Sequence, residues 1–231
     1  MLVIDWLFPK NCYGCSKPGE YLCNDCIKKH CSVRWDQTCH VCNRNVSVGS
    51  IHIECGAQTY LDGVFCMFVY DGLIKKIVHD VKYNFYHDVF NELGVKMAKF
   101  SMILPKFEKL VITSVPLNPK KKNFRGFNQS KILAKKVAKY QGVEYLEILK
   151  RTKNTKSQVG MSLVERQTNL KNAFKLTSKE ILKNFNNLII VDDVYTTGST
   201  LNECAKLIKS HNQSMNVYAF TLARAPGGVM D

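Results

Sequence analysis

Eight cysteines crowd into residues 12–55 of this 231-residue chain, and six of them form three Cys-x-x-Cys pairs: Cys12/Cys15, Cys23/Cys26 and Cys39/Cys42. Pairs at that spacing have the bite that wraps a metal ion. The opening stretch, MLVIDWLFPKNC, is briefly apolar, but Asp5 interrupts it and it has neither a basic front nor a small-residue cleavage site. An exported disulfide scaffold is therefore not expected, and zinc is. Cys12, Cys15, Cys23 and Cys26 suit one tetrahedral thiolate site. For Cys39 and Cys42 alternatives stay open. Cys55 offers a third thiolate, but the residue three further on is Gln58, a poor ligand. His52 or Cys31 could complete that shell, or Cys12/Cys15 could pair with Cys39/Cys42 in one interleaved site. A closed thiolate shell has no position for chemistry, so the metal would be structural, folding a module over 1–58 that is too small for its own core. Cys66 and Cys204 lie on apolar segments and read as core.

Beyond residue 59 the pattern becomes alternating strands and helices. Val64 to Tyr70, Leu110 to Val115, Leu188 to Val191 and Val217 to Leu222 read as buried strands. Helices are expected around Leu73 to Val81, with Leu73, Ile74, Ile77, Val78 and Val81 on one face, and over Val89 to Phe100. Two more are expected, over Gln129 to Tyr140, with Ile132, Leu133 and Val137 inward, and over Ser199 to Ser210. Such alternation predicts an α/β domain over 59–231, a parallel sheet flanked by helices, with ligands at the carboxyl ends of the strands. No apolar run is long enough for a transmembrane segment, so a cytoplasmic location is expected, including the inner face of the membrane.

One strand leads into LIIVDDVYTTGST, where Asp192 and Asp193 are adjacent acids that need a cation, a hydrogen-bonding ligand or water. Thr196, Thr197, Gly198, Ser199 and Thr200 then turn the chain into a helix. Backbone N–H groups at a helix start, with hydroxyls beside them, suit a phosphate dianion. The acids would then face sugar hydroxyls or help hold Mg²⁺. Together they describe a phosphorylated sugar. A bland alternative is that Ser199 or Thr200 only caps the helix.

VDDVYTTGST resembles the phosphoribosyl pyrophosphate motif of type I phosphoribosyltransferases. The whole chain resembles the ComF family of competence proteins: cysteine knuckles, then SVPLNPKKKNFRGFNQS (114–130), LKRTKNTKSQVGMSLVERQTNLKNAF (149–174), the motif itself, and TLARA (221–225) occur in the family's order. The departure is the incomplete last knuckle between Cys55 and Gln58. The resemblance implies that Asp192 and Asp193 hold ribose hydroxyls, that Thr196 to Thr200 hold the 5′-phosphate, that Mg²⁺ bridges pyrophosphate to ribose, and that Val115-Pro-Leu-Asn118 cups the pyrophosphate. It implies a role in natural transformation, between an inner-membrane DNA channel and cytoplasmic recombination proteins.

The net charge of +14 is concentrated: residues 120–171 carry 14 Lys and Arg against Glu144, Glu147 and Glu165. If folded onto one face, that region attracts a polyanion. Within KKKNFRGFNQSK, Lys121, Lys122 and Arg125 alternate with Phe124 and Phe127, a combination suited to single-stranded DNA. These cations and Arg151 also suit a leaving pyrophosphate. The plainer readings are a solvated loop, a run that serves only the small ligand's phosphates, and buried anchors at Phe124 and Phe127. Two functions compete. One is a competence factor that handles single-stranded DNA and binds phosphoribosyl pyrophosphate; the other is a phosphoribosyltransferase of nucleobase salvage, although no general base or base pocket is legible. A pure scaffold would leave the paired acids without a purpose.

Overall fold

Period-two alternation in the strands decides the layering. In the computed structural model, which describes residues 10–34, 38–47, 49–84, 87–152 and 173–226, five strands form one parallel sheet. They are β1 (Gly63–Val69), β2 (Leu110–Ser114), β3 (Glu144–Tyr145), β6 (Asn187–Tyr195) and β7 (Asn216–Arg224), in the order β1-β7-β6-β2-β3. Phe65, Met67, Ile112, Ile189, Val191, Phe220 and Leu222 face one side. Val64, Cys66, Val111, Leu188, Ile190, Val217 and Ala219 face the other. Strands buried on both faces need helices on both faces, as parallel sheets do.

On the first side lie α2 (Gly72–Asn84), α3 (His87–Phe100) and α5 (Gln129–Gln141). Their inward positions are those the periodicity predicts: Ile74, Ile77, Val78 and Val81 are buried, as are Leu133 and Val137, while Leu73 and Ile132 are half-buried. On the second side lie α6 (Ser199–Lys209), through Leu201, Cys204, Ala205 and Ile208, and a hairpin of β4 (Leu149–Arg151) with β5 (Phe174–Leu176). Cys66 and Cys204 are core residues, as expected. Among the described residues two short helices complete the set, α1 (Asn24–His30) and α4 (Pro119–Arg125).

The free edge of β1 is covered. Val69 N–H donates to Ser32 O at 2.9 Å and Arg34 N–H to Met67 O at 2.9 Å, so residues 32–34 run antiparallel along it. Covering an edge in this way removes a template for pairing with other chains.

One boundary differs from expectation in a way that matters for the site. The apolar run ends at Val191, yet β6 continues to Tyr195 because β7 runs beside it and pairs Asp192 with Thr221, Val194 with Ala223 and Tyr195 with Arg224. The acid pair therefore stands in the last turn of a strand and not on a loop. Among the described residues no helix is long and apolar enough to cross a membrane. The opening stretch 1–9 and most of the basic block 149–174, including Glu165, lie outside the described residues.

Candidate functional site

The cysteines form two separate groups. Cys12, Cys15, Cys23 and Cys26 converge, and so do Cys39, Cys42, His52 and Cys55, each set with its donor atoms within 4.8 Å of one another. The interleaved arrangement is therefore not adopted, and Cys31 belongs to neither group. Cys15 and Cys23 sulfurs stand 3.7 Å apart, close to the separation of about 3.8 Å that a tetrahedral shell with Zn–S bonds of about 2.3 Å sets.

The same knuckle is built twice. Asn11 pairs with Pro18 and Thr38 with Asn45 as antiparallel bridges. Within each, the residue after the second cysteine takes a left-handed conformation, Ser16 at φ 61° and Asn43 at φ 58°. Ser16 N–H donates to Cys12 O at 2.8 Å, and Asn43 N–H to Cys39 O at 3.0 Å. The second half of each site comes from a helix start. Cys23 precedes α1 and accepts from Cys26 N–H at 3.5 Å, and His52 precedes the 3₁₀ helix Ile53–Gln58 that carries Cys55. His52-x-x-Cys55 thus takes the place of Cys23-x-x-Cys26. Of the two candidates the sequence offers for the fourth ligand, the structure brings in His52, three residues before Cys55, and leaves Cys31 out.

The donor chemistry fits zinc at both groups. His52 Nδ1 lies 3.3 Å from Cys42 Sγ, while its Nε2 is 3.1 Å from Asn45 O. A histidine whose second ring nitrogen donates to a carbonyl has its ligating nitrogen fixed. Burial raises the Cys12 thiol, but N–H groups of Cys23, Cys15 and Gly14 outweigh it and bring it to about 6. Cys42 also falls to about 6, chiefly through Arg44, whose Nε lies 3.4 Å from the sulfur. Burial pushes the unliganded Cys31 up to about 11. Within each group the thiols are pushed apart: burial and the neighbouring thiols raise Cys26, and they raise Cys55 to about 11, so one thiol of each knuckle is prepared to lose its proton and the helix-borne one is not.

The acid pair lies at the carboxyl edge of the sheet. Asp192 and Asp193 are half-buried. Ser130 Oγ, one residue into α5, donates to Asp192 Oδ1 at 2.6 Å, and Asp193 N–H donates to the same oxygen at 2.9 Å. Val194 N–H donates to Asp193 Oδ1 at 2.8 Å. Because these carboxylates are held and not waving on a loop, replacing them costs more stability than the sequence suggests, about 1–3 kcal/mol where a buried partner such as the Ser130 hydroxyl is left unpaired. Arg151, at the end of β4, reaches this corner. Burial lowers its guanidinium below the ordinary value, and Cys204 and Asp192 partly offset that.

The turn after the acids is shaped by one close approach. Gly198 has φ 74°, and a Cβ there would stand 2.3 Å from the Tyr195 hydroxyl. A side chain at this position is excluded twice, by conformation and by space. Thr197 Oγ1 lies 2.8 Å from Ser199 Oγ and accepts from Ser199 N–H at 3.4 Å, while the N-cap position of α6 is Gly198. Ser199 and Thr200 therefore stand inside the first turn of α6 and not at its N-cap, at a helix start whose N–H groups favour an anion. A helix start of this kind is chemically suited to a phosphate dianion, and the two carboxylates beside it to hydroxyls.

The neighbouring exit from β2 carries the basic run. Val115 N–H donates to Val191 O at 3.0 Å, and Asn128 Nδ2 to Val115 O at 3.0 Å, which places residues 115–128 beside the acid corner. Asn118 caps α4 through Lys120 N–H at 2.9 Å. Lys122 is exposed, Arg125 half-buried, and the Lys121 side chain lies outside the described set. The two phenylalanines part ways: Phe124 is 68% exposed, while Phe127 packs against His87 and Phe90, the anchor the plainer reading assigned. The basic region does not fold onto one face throughout. Lys131 pairs with Glu147, Lys135 lies over Tyr145, and the Lys136 stem covers Gly94.

Comparison with known proteins places this geometry. Residues 125–230 match the phosphoribosyl transferase domain family. Competence protein F of Haemophilus influenzae is 38% identical over 134 residues, which cover 58% of this chain and 57% of that protein. DNA utilization protein YhgH of Salmonella typhi is 34% identical over 158 residues, 65% of this chain and 67% of that protein. Competence protein ComFC of Bacillus subtilis is 24% identical over 217 residues, covering 90% of this chain and 86% of its own length. The chain belongs to the ComF family of competence proteins, with a type I phosphoribosyltransferase-like fold.

Proposed function

We infer that this protein acts in natural transformation, handling imported single-stranded DNA, and that its phosphoribosyltransferase-like corner binds phosphoribosyl pyrophosphate with Mg²⁺. The observation that carries this reading is adjacency. At one edge of the sheet, the Asp192–Asp193 pair and the glycine-led start of α6 stand next to the β2 exit, from which α4 presents exposed Lys120, Lys122 and Phe124. In this reading Asp192 and Asp193 face ribose hydroxyls, Thr196 to Thr200 hold the 5′-phosphate, residues 115–118 and Arg151 face the pyrophosphate, and α4 tracks a strand backbone while Phe124 stacks on a base. The names of its relatives, competence and DNA utilization proteins, support the DNA half.

The test is a pair of titrations on the full chain, phosphoribosyl pyrophosphate with Mg²⁺ and single-stranded oligonucleotide, each with the other present and absent. Binding of both, without pyrophosphate release when nucleobases are added, supports the reading. Pyrophosphate release with a base and no affinity for DNA would replace it with a salvage transferase. Exchanging Asp192 and Asp193 for Asn is expected to abolish sugar-phosphate binding alone. Exchanging Lys121, Lys122 and Arg125 for Ala is expected to weaken DNA of any sequence and to flatten its salt dependence by about two to three units of slope.

A further inference from the structure

The second cysteine group does not hang at the front of the molecule. Its knuckle, residues 39–43, rests on the carboxyl ends of β6 and β7. His40, between the two ligating cysteines, is 1% exposed, and its ring meets the Tyr195 ring edge-on at 6.3 Å. Tyr195 is fully buried, and its hydroxyl is the group that lies under Gly198. From the other side the Arg224 guanidinium covers the Tyr195 ring at 5.4 Å and donates through Nη2 to Asn43 Oδ1 at 2.9 Å. A second chain of contacts leaves His40. Its Nε2 is 3.2 Å from Thr59 Oγ1, Thr59 donates to Asn202 Oδ1 at 3.0 Å, and Asn202 N–H closes the first turn of α6 on Gly198 O at 2.8 Å. Both routes run from the knuckle to the same glycine.

We propose that His40 and Asn43 are positioning residues for the 195–200 loop, so that the metal-held knuckle fixes the shape of the phosphate cradle. This rests on the reading of that loop as a sugar-phosphate site. The loop's N-cap is a glycine with no side chain to brace it, and the bonds Thr197 makes to Ser199 stay within the loop. The Tyr195 ring supports its glycine from below, Asn202 holds its helix end, and both supports take their position from residues between or beside zinc ligands. A cradle of backbone N–H groups binds an anion only when the groups are already aimed, because re-aiming them on binding costs affinity. By linkage, a ligand that prefers the aimed loop must in turn tighten the knuckle. The first cysteine group is fastened instead to α2 and α3, through Leu73 and Glu92, which makes it an internal control.

The experiment uses the full zinc-loaded chain and phosphoribosyl pyrophosphate with Mg²⁺ as the probe. His40→Ala is expected to weaken binding by about tenfold or more, with two zinc ions retained. His40→Gln, whose amide still reaches the Thr59 hydroxyl, is expected to restore most of the affinity. Asn43→Gly keeps the left-handed turn and removes only the acceptor for Arg224, so it tests the second route should His40→Ala fail to fold. The ligand is also expected to slow transfer of one zinc ion, and not the other, to a coloured chelator. Unchanged affinity in folded His40→Ala or Asn43→Gly protein, with both zinc ions leaving at unchanged rates, overturns the proposal and leaves the sugar-phosphate reading standing. A wild-type chain that binds no phosphoribosyl pyrophosphate ends both.

Discussion

Two copies of one knuckle are put to different uses by what they are fastened to. The first group is tied to the helical layer: Tyr21 and Leu22 N–H groups donate to the two Glu92 carboxylate oxygens at 3.0 Å each, Lys96 meets Glu20 at 2.8 Å, and Gly14 lies against Cys26 and Leu73. The second is tied to the sheet's carboxyl edge through Tyr195, Arg224 and Asn202. A four-thiolate shell around Zn²⁺ leaves two negative charges, whereas three thiolates and a neutral histidine leave one, and Arg44 stands beside that one. The local element sets the ligand group; the anchor sets which part of the fold that group is joined to.

Removing one ligand from each group breaks the comparison most sharply. Cys26→Ser takes a buried donor from the group that packs into the larger core and is expected to lower the thermal midpoint by about 10 °C or more, with zinc content falling from two to one. Cys55→Ser is expected to lose one zinc with a smaller shift, while losing sugar-phosphate affinity. Equal thermal losses in the two variants would show that both groups are fastened alike.

Glu92→Ala leaves two backbone donors without their acceptor, and a shift of about 4–8 °C is expected, with sugar-phosphate binding unchanged. A loss of binding in that variant would tie the first group to the site after all. Cys31→Ser changes a buried thiol that ligates nothing. It is expected to keep both zinc ions by metal analysis and to shift the midpoint by about 2–4 °C. The smallest effect belongs to Arg44→Ala. Its ion pair with Glu54 is exposed, so the midpoint is expected to stay within about 2 °C, but the Cys42 thiol loses its main source of acidification. Zinc should then leave the second group, and only that group, at a higher pH during acid titration.

Much of the fold was legible because its signals are local. Ile74, Ile77, Val78 and Val81 declare a helix face by spacing, and the buried strands declare themselves by apolar runs. The acid pair and the TTGST turn were legible for the same reason. What was not legible depends on partners far away in the chain. The extension of β6 to Tyr195 is written in β7, whose register carries the ladder past the last apolar residue. His52 was one candidate among several because convergence of Cys39, Cys42 and Cys55 upon it is a property of the folded turn. Nothing near His40 announces that its ring will stand against Tyr195, about 155 residues downstream.

The strand order carries a consequence for how the molecule comes into being. β7 lies between β1 and β6, so the first strand made waits for the last, and the pairing of Gly63 with Tyr218 closes a very long stretch of chain. Non-local pairings of this kind form slowly, because the entropy of closing the intervening chain is spent before any contact repays it. The seat of the first zinc, by contrast, lies within residues 10–96, and that zinc can be captured while the ribosome is still at work. The seat of the second, Tyr195 with Arg224, exists only once β7 has been inserted. On a nascent chain both ligand sets, 12–26 and 39–55, are complete early, but the second knuckle finds its seat only when the sheet is finished.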